Sequence, residues 1–306
     1  MLRACTAGAL TPSQLEEVLA WAPQSSLRSS LAKLTEIGAL SRSPGDGRAR
    51  RAAIELTPAG RELLPVGAAL EHWLKGGPNG PIALEDPAAR GVVRVLTAGW
   101  DSTVIGALAE RPRSLVELNR EIPNLSYPAL KRRLARLRST GLVASGRNAD
   151  GLSYEVSDWL RRATVPLTLA ERWERRHEIA TEPAAQMGLV AAFMLALPLL
   201  RLPIRADGPC SLAVLSLEQR ADLKRNVAGV ALELKGGQIV SCSTAATGRQ
   251  PTWALGTVDC WLEALARGQV ETLRVSGAKP FLARRVVEAL HNDLFRASAP
   301  GLFEMG

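Results

Sequence analysis

Between Ile122 and Ala149 the chain carries Lys131, Arg132, Arg133, Arg136, Arg138 and Arg147 and not one acidic residue. A charged guanidinium is neither nucleophile nor base, but its planar fork matches phosphate oxygens and the O6/N7 edge of guanine. The chemistry available here is recognition of a polyanion. A sparser set has the same character. Arg28 and Lys33 stand among Ser25, Ser26, Ser29 and Ser30, and Arg48, Arg50 and Arg51 cluster beside Asp46. Serine hydroxyls bond phosphates or base edges, and Ser25 and Ser26 equally suit the start of a helix as caps. Other chemistries lack their residues. His72, His177 and His291 lie far apart, and Cys5, Cys210, Cys242 and Cys260 form no CxxC pair. No carboxylate pair has useful spacing, so no catalytic residue, metal or cofactor is expected.

A basic run by itself is ordinarily a solvated face, so the elements that carry it decide its meaning. Sliding the chain by 103 positions aligns Leu15, Leu19, Leu27, Leu31, Leu34 and Gly38 with Leu118, Ile122, Leu130, Leu134, Leu137 and Gly141 without a gap. The spacing puts the apolar residues of each copy on one face of two helices joined by a short turn. Thr11 and Ser114 read as caps of the first helix, which runs toward Trp21 in copy one. Pro23 and Pro123-Asn124 break it. Each second helix ends at a glycine, where a left-handed C-cap is expected. On the later helix Leu130, Leu134 and Leu137 face inward, so Pro128, Arg132 and Arg136 point outward with Lys131 on the flank. Ser126 and Tyr127 stand at that helix's start.

After each glycine come two short β-favouring runs around a polar tip: residues 39–43 and 51–56 around Pro44–Arg50, and residues 142–145 and 152–156 around Arg147–Gly151. Helix, turn, helix and hairpin make a winged helix. The stretches "LRSSLAKLTEIGALSRS" with "IELTPAGRELLPVGAALEHW", and "LKRRLARLRSTGLVASG" with "YEVSDWLRRATVPLTLAERWERR", resemble two tandem winged helices of the HxlR type of bacterial transcription regulator. The resemblance implies double-stranded DNA as partner, with one recognition helix per copy in successive major grooves. It also implies pairing through the helices that flank the wings, around Val66–Trp73 and Val165–Trp173, either between two chains as a homodimer or within one chain as a monomeric pseudo-dimer. Some such regulators sense oxidants through a cysteine, but Cys5 has only Arg3 as a basic neighbour, which does little to favour a thiolate. Copy one begins almost inside its first helix.

With 306 residues, 46% of them hydrophobic, the chain has ample material for several cores. The net charge of +8 is uneven: 25 basic against 19 acidic residues up to residue 180, then 13 against 11. The anion-binding part therefore lies in the first. Few cysteines and no signal-like N-terminus place the chain in a reducing cytoplasm. Residues 187–200 are wholly apolar, but 14 residues fall short of a membrane span and read as a buried helix.

Beyond residue 206 the pattern is α+β: strands at 211–217, 227–234 and 239–243 with a hairpin turn at Lys235-Gly236-Gly237-Gln238, a strand at 252–255, a helix capped by Thr257, a strand at 273–276 and a last helix from Pro280. The pattern of Trp253, Gly256, Thr257, Trp261 and Gly268 resembles the sterol-carrier-protein type of domain. That resemblance implies an apolar tunnel and a hydrophobic small-molecule effector, with Trp253 and Trp261 either lining the tunnel or packed in the core. The expected architecture is mainly α plus α+β. Two tandem winged helix-turn-helix domains (1–80 and 88–180) are followed by an apolar linker helix (181–205) and an α+β sterol-carrier-protein-like domain (206–300). The function expected is one-component transcription regulation. Small-molecule sequestration on a winged-helix scaffold is the alternative.

Overall fold

Two capping boxes set the frame. A computed structural model describes residues 1–43, 53–97, 99–148, 151–179, 183–203, 205–215, 227–244 and 250–298. In copy one a short 3₁₀ helix, Leu2–Ala7, precedes α1 (Pro12–Val18), α2 (Gln24–Glu36), the hairpin strands β1 (Leu40–Ser43) and β2 (Ala53–Leu56), and α3 (Pro58–Lys75). The Thr11 hydroxyl accepts from the Gln14 amide while Gln14 Oε1 accepts from the Thr11 amide, so two of the helix's orphan donors are satisfied reciprocally. Helix α1 ends at Val18, short of Trp21, whose side chain is exposed.

A connecting helix α4 (Pro87–Thr97) leads into copy two. It comprises α5 (Gly99–Glu110), β3 (Arg113–Ser114), α6 (Leu115–Glu121), α7 (Tyr127–Ser139), β4 (Val143–Asn148), β5 (Gly151–Val156), α8 (Asp158–Arg162) and α9 (Thr164–Arg176). Ser114 and Glu117 repeat the capping box. After β5 the chain runs in two helices, α8 and α9, parted at Ala163. Pro166 has no amide hydrogen to continue the ladder, which favours the break. Both α2 and α7 end on glycines with left-handed backbones, Gly38 at φ 72° and Gly141 at φ 79°.

The copies match down to single pairings. The bridge Leu10–Ile54 recurs as Arg113–Tyr154. Thr57 caps α3 and shares its hydroxyl proton between the Gly38 and Ala39 carbonyls. Ser157 caps α8 and does the same toward Gly141 and Leu142. Gly38 lies 19 residues before Thr57 but Gly141 only 16 before Ser157. The correspondence therefore shifts from 103 residues before the hairpin to 100 after it.

Next comes α10 (Pro183–Ala196), the core of the apolar run, followed by a 3₁₀ turn at Leu197–Leu199. Leu189, Val190, Phe193 and Met194 are buried between α5, α8 and α9 on one side and the C-terminal sheet on the other. Among the described residues no helix is long and apolar enough to cross a membrane. The sheet contains β6 (Gly208–Leu215), β7 (Val227–Lys235), β8 (Gln238–Ser243), β9 (Thr252–Thr257) and β10 (Arg274–Gly277), in the order β10-β9-β6-β7-β8. Among the described residues only the β6–β9 pair of this sheet is parallel. Helices α11 (Val258–Arg267) and α12 (Pro280–Ala289), the latter prolonged by a π-helical stretch at Leu290–Arg296, pack on it. The chain is thus mixed, with helices and mostly antiparallel strands largely segregated, an α+β composition. Among the described residues the buried apolar side chains form two cores. One is confined to copy one, and the other runs from copy two through α10 into the sheet.

Candidate nucleic-acid interface

On α7 the inward stripe is Leu130, Leu134 and Leu137, all essentially without solvent contact, which fixes the rotation of the helix. Pro128, Lys131, Arg132 and Arg136 then lie exposed, with Tyr127 47% exposed at the helix start and Ser126 as its N-cap residue. Ser126 makes no side-chain capping bond. Arg147 is exposed on β4, in the hairpin that follows. Among the described residues neither Lys131, Arg132 nor Arg147 has an ion-pair partner.

Other arginines differ. Arg111 pairs with Glu117, Arg172 with Glu263, Arg175 with Asp259 and Arg176 with Glu62. Arg113, 10% exposed, donates to the Ala107 carbonyl at 2.6 Å and pairs with Glu110 and Glu121. These cations fasten elements together, whereas Lys131, Arg132 and Arg147 face solvent with their charge uncompensated.

On α2 the buried stripe is Leu27 and Leu31, and Ser25, Arg28, Ser29 and Lys33 are exposed, with Ser26 partly so. Ser25 and Ser26 do not cap the helix. Pro23 is the N-cap residue, with no side-chain bond, and both serines fall inside the first turn, where their hydroxyls are too far along the helix to cap it. Arg48, Arg50 and Arg51 lie outside the described residues.

Between the copies, α3 and α9 run antiparallel. Trp73 Nε1 donates to the Trp159 carbonyl at 2.7 Å, and Trp173 Nε1 donates to the Ala59 carbonyl at 2.8 Å. Since Trp173 and Trp159 stand 100 residues beyond Trp73 and Ala59, these are one bond seen from either side of a pseudo-twofold axis, the signature of an isologous contact. On one side it is reinforced: Trp159 Nε1 donates to the Trp73 carbonyl, and the two indoles stack at 4.6 Å and 12°. The surfaces expected to meet, 66–73 and 165–173, end on two of these indoles, whereas Trp159 and the carbonyl partners were not named from sequence. Their spacing of 100, rather than 103, was the available signal.

The two tryptophans of the C-terminal region are not brought together. Trp261, on α11, is fully buried, donates to the Ala213 carbonyl at 2.8 Å and meets Phe193 edge-on at 4.8 Å. Trp253 alternates with buried Thr252 and Ala254 and so faces the other side of the sheet, half-buried, with the Arg274 guanidinium 5.7 Å from its ring centre. They cannot line one tunnel. Burial pushes the Cys210 and Cys242 thiols up to about 12 and raises that of Cys5, against thiolate reactivity. Among the described residues no group of three or more His, Cys, Asp or Glu side chains is placed to hold a metal. Compared with protein-family models, curated proteins and solved structures, the chain matches none.

Proposed function

We propose that this chain is a cytoplasmic DNA-binding transcription regulator in which two winged helices of one polypeptide form a pseudo-dimer on a single double-stranded site. The observation that carries the reading is the set of unpaired, solvent-facing cations Lys131, Arg132 and Arg147 on a helix and hairpin that follow a helix-turn, a frame that occurs twice. Tyr127, Pro128 and Arg136 complete the reading surface of α7, with Ser126 at its start. Ser25, Ser26, Arg28, Ser29 and Lys33 supply that of α2. Because α2 and α7 differ in these residues, the two half-sites differ and the site is an imperfect palindrome. The indole bonds from α3 to α8 and from α9 to α3 support pairing within the chain in place of pairing between chains.

The resemblances to HxlR-type regulators and to sterol-carrier-type domains belong to this reading. The latter makes the C-terminal sheet and helices an effector domain for a hydrophobic molecule. The reading requires no catalysis. Selection of genomic fragments by the purified protein, followed by fluorescence anisotropy on the enriched DNA, tests it. The expected result is a defined sequence, bound far more tightly than competitor DNA and weakened by Lys131→Ala/Arg132→Ala. Weak, sequence-blind binding that this double substitution leaves unchanged would overturn it and return the chain to the sequestration alternative.

A further inference from the structure

We propose that a cleft in copy one, between α1, α2 and the hairpin, binds a small amphipathic monoanion: an apolar chain or ring bearing one carboxylate. The cleft measures about 340 Å³, at the lower end of the range for small-molecule sites, about 300–1,000 Å³. Leu15, Leu27, Leu31 and Ile54 line it from the buried side, while Arg28 from α2 and Arg42 from β1 stand at its rim with Glu16. Arg28 and Arg42 have no hydrogen-bond or ion-pair partner among the described residues. An apolar floor under two free guanidinium groups matches a molecule with an apolar body and an acidic head, since guanidinium binds carboxylate through two parallel hydrogen bonds. Glu16 leaves the rim with a single net positive charge, which fits a monoanion and disfavours a dianion.

Copy two serves as an internal comparison. It keeps the leucines, as Leu118, Leu130 and Leu134, but has buried Tyr154 in place of Ile54, Ser145 in place of Arg42 and Asn119 in place of Glu16. The larger ring takes up the apolar half of the site, and at the rim a single ammonium, Lys131, stands where copy one has two guanidinium groups, so the described residues combine an apolar cleft with a two-guanidinium rim in copy one and not in copy two. Arg42 was not singled out from sequence. It sits between two serines on a short strand, where a lone arginine gives no signal.

The cleft does not depend on the DNA reading. Its consequence does: Arg28 also belongs to the proposed reading surface of α2, so an occupied cleft would take one cation away from DNA.

Isothermal titration calorimetry on the full chain, without DNA, tests the site. The probes are straight-chain carboxylates from butanoate to decanoate and 2-naphthoate, the corresponding alcohols, and inorganic phosphate. The expected result is saturable 1:1 binding of at least one carboxylate, with its alcohol weaker by about tenfold or more, as loss of a charge-assisted bond implies. Arg42→Gln lowers the affinity by a similar factor, and Ile54→Tyr, which installs the residue of copy two, abolishes binding. Arg42 is exposed, so its variant keeps the test valid if Ile54→Tyr fails to fold. The proposal is overturned if no carboxylate in the series saturates, if Arg42→Gln binds as well as the parent chain, or if phosphate binds as tightly as the best carboxylate. Because no DNA is present, failure of the regulator reading leaves this result intact.

Discussion

Copies one and two share a frame and differ in what fills it. The shared positions fix the backbone: leucines at 15 and 118, 27 and 130, and 31 and 134, left-handed glycines at 38 and 141, and caps at 57 and 157. The differing positions set chemistry. Leu10 becomes the ion-paired Arg113, Ile54 becomes Tyr154, Gln14 becomes Glu117, and Arg28 becomes Lys131 beside Arg132. A duplicated frame tolerates such divergence because its geometry rests on few positions. Copy one is left with a cleft and a sparse cationic face, and copy two with an internal ion-pair hub and a dense one.

The comparison breaks most severely where the copies meet. Trp73→Ala removes a buried indole, a hydrogen bond and a stacking partner, and is expected to cost about 3–5 kcal/mol. Trp173→Ala should cost less, since the Trp73–Trp159 stack contributes about 0.5–1.5 kcal/mol beyond burial. Urea unfolding of both variants measures the difference. A larger loss at Trp173 would reverse the expected asymmetry, and losses below about 1 kcal/mol at both would mean that these indoles do not hold the copies together.

Replacing Arg113 with leucine, the residue copy one uses, leaves the Ala107 carbonyl and two carboxylates without their partner. Glu110 and Glu121 keep access to water, so the expected loss is about 1–2 kcal/mol, below that of a fully buried pair. Chemical denaturation reads it, and a gain in stability would show the hub to be dispensable.

The smallest effect lies in the caps. In copy two the Ser114 amide, Arg111 and the Ser114 hydroxyl hold the Glu117 carboxyl down at about 2. A depressed folded-state pKa contributes stability above the ordinary carboxylate value of 4.5, and that contribution is lost as pH falls from there toward about 2. Gln14, its counterpart in copy one, does not titrate. Glu117→Gln should therefore flatten part of the fall in melting temperature between pH 4.5 and 2. An unchanged acid limb would remove Glu117 from the account.

Much of the local frame was legible in the sequence because local rules govern it. Thr11, Ser114 and Thr257 as caps, Gly38 and Gly141 as stops, and the Gly236-Gly237 turn each need only a few neighbouring residues. What escaped reading depends on distant parts. The pairing of Trp73 with Trp159 and of Trp173 with Ala59 is hidden from a fixed-offset repeat, since the hairpins differ by three residues in length. The opposite placement of Trp253 and Trp261 depends on which face of the sheet α10 and α11 cover, which periodicity leaves open.

The central claim is that one chain supplies both halves of a paired reader. Native mass spectrometry of the protein on its selected duplex, with anisotropy salt titrations on the same DNA, tests it most directly. The account predicts one 32.7 kDa chain per duplex. It also predicts a log–log salt slope on the order of −5 to −7, for about six to eight phosphate contacts, made shallower by about two units in either Lys131→Ala/Arg132→Ala or Arg28→Ala/Lys33→Ala. Two chains per duplex, or a slope that the α2 substitutions leave untouched, would contradict it.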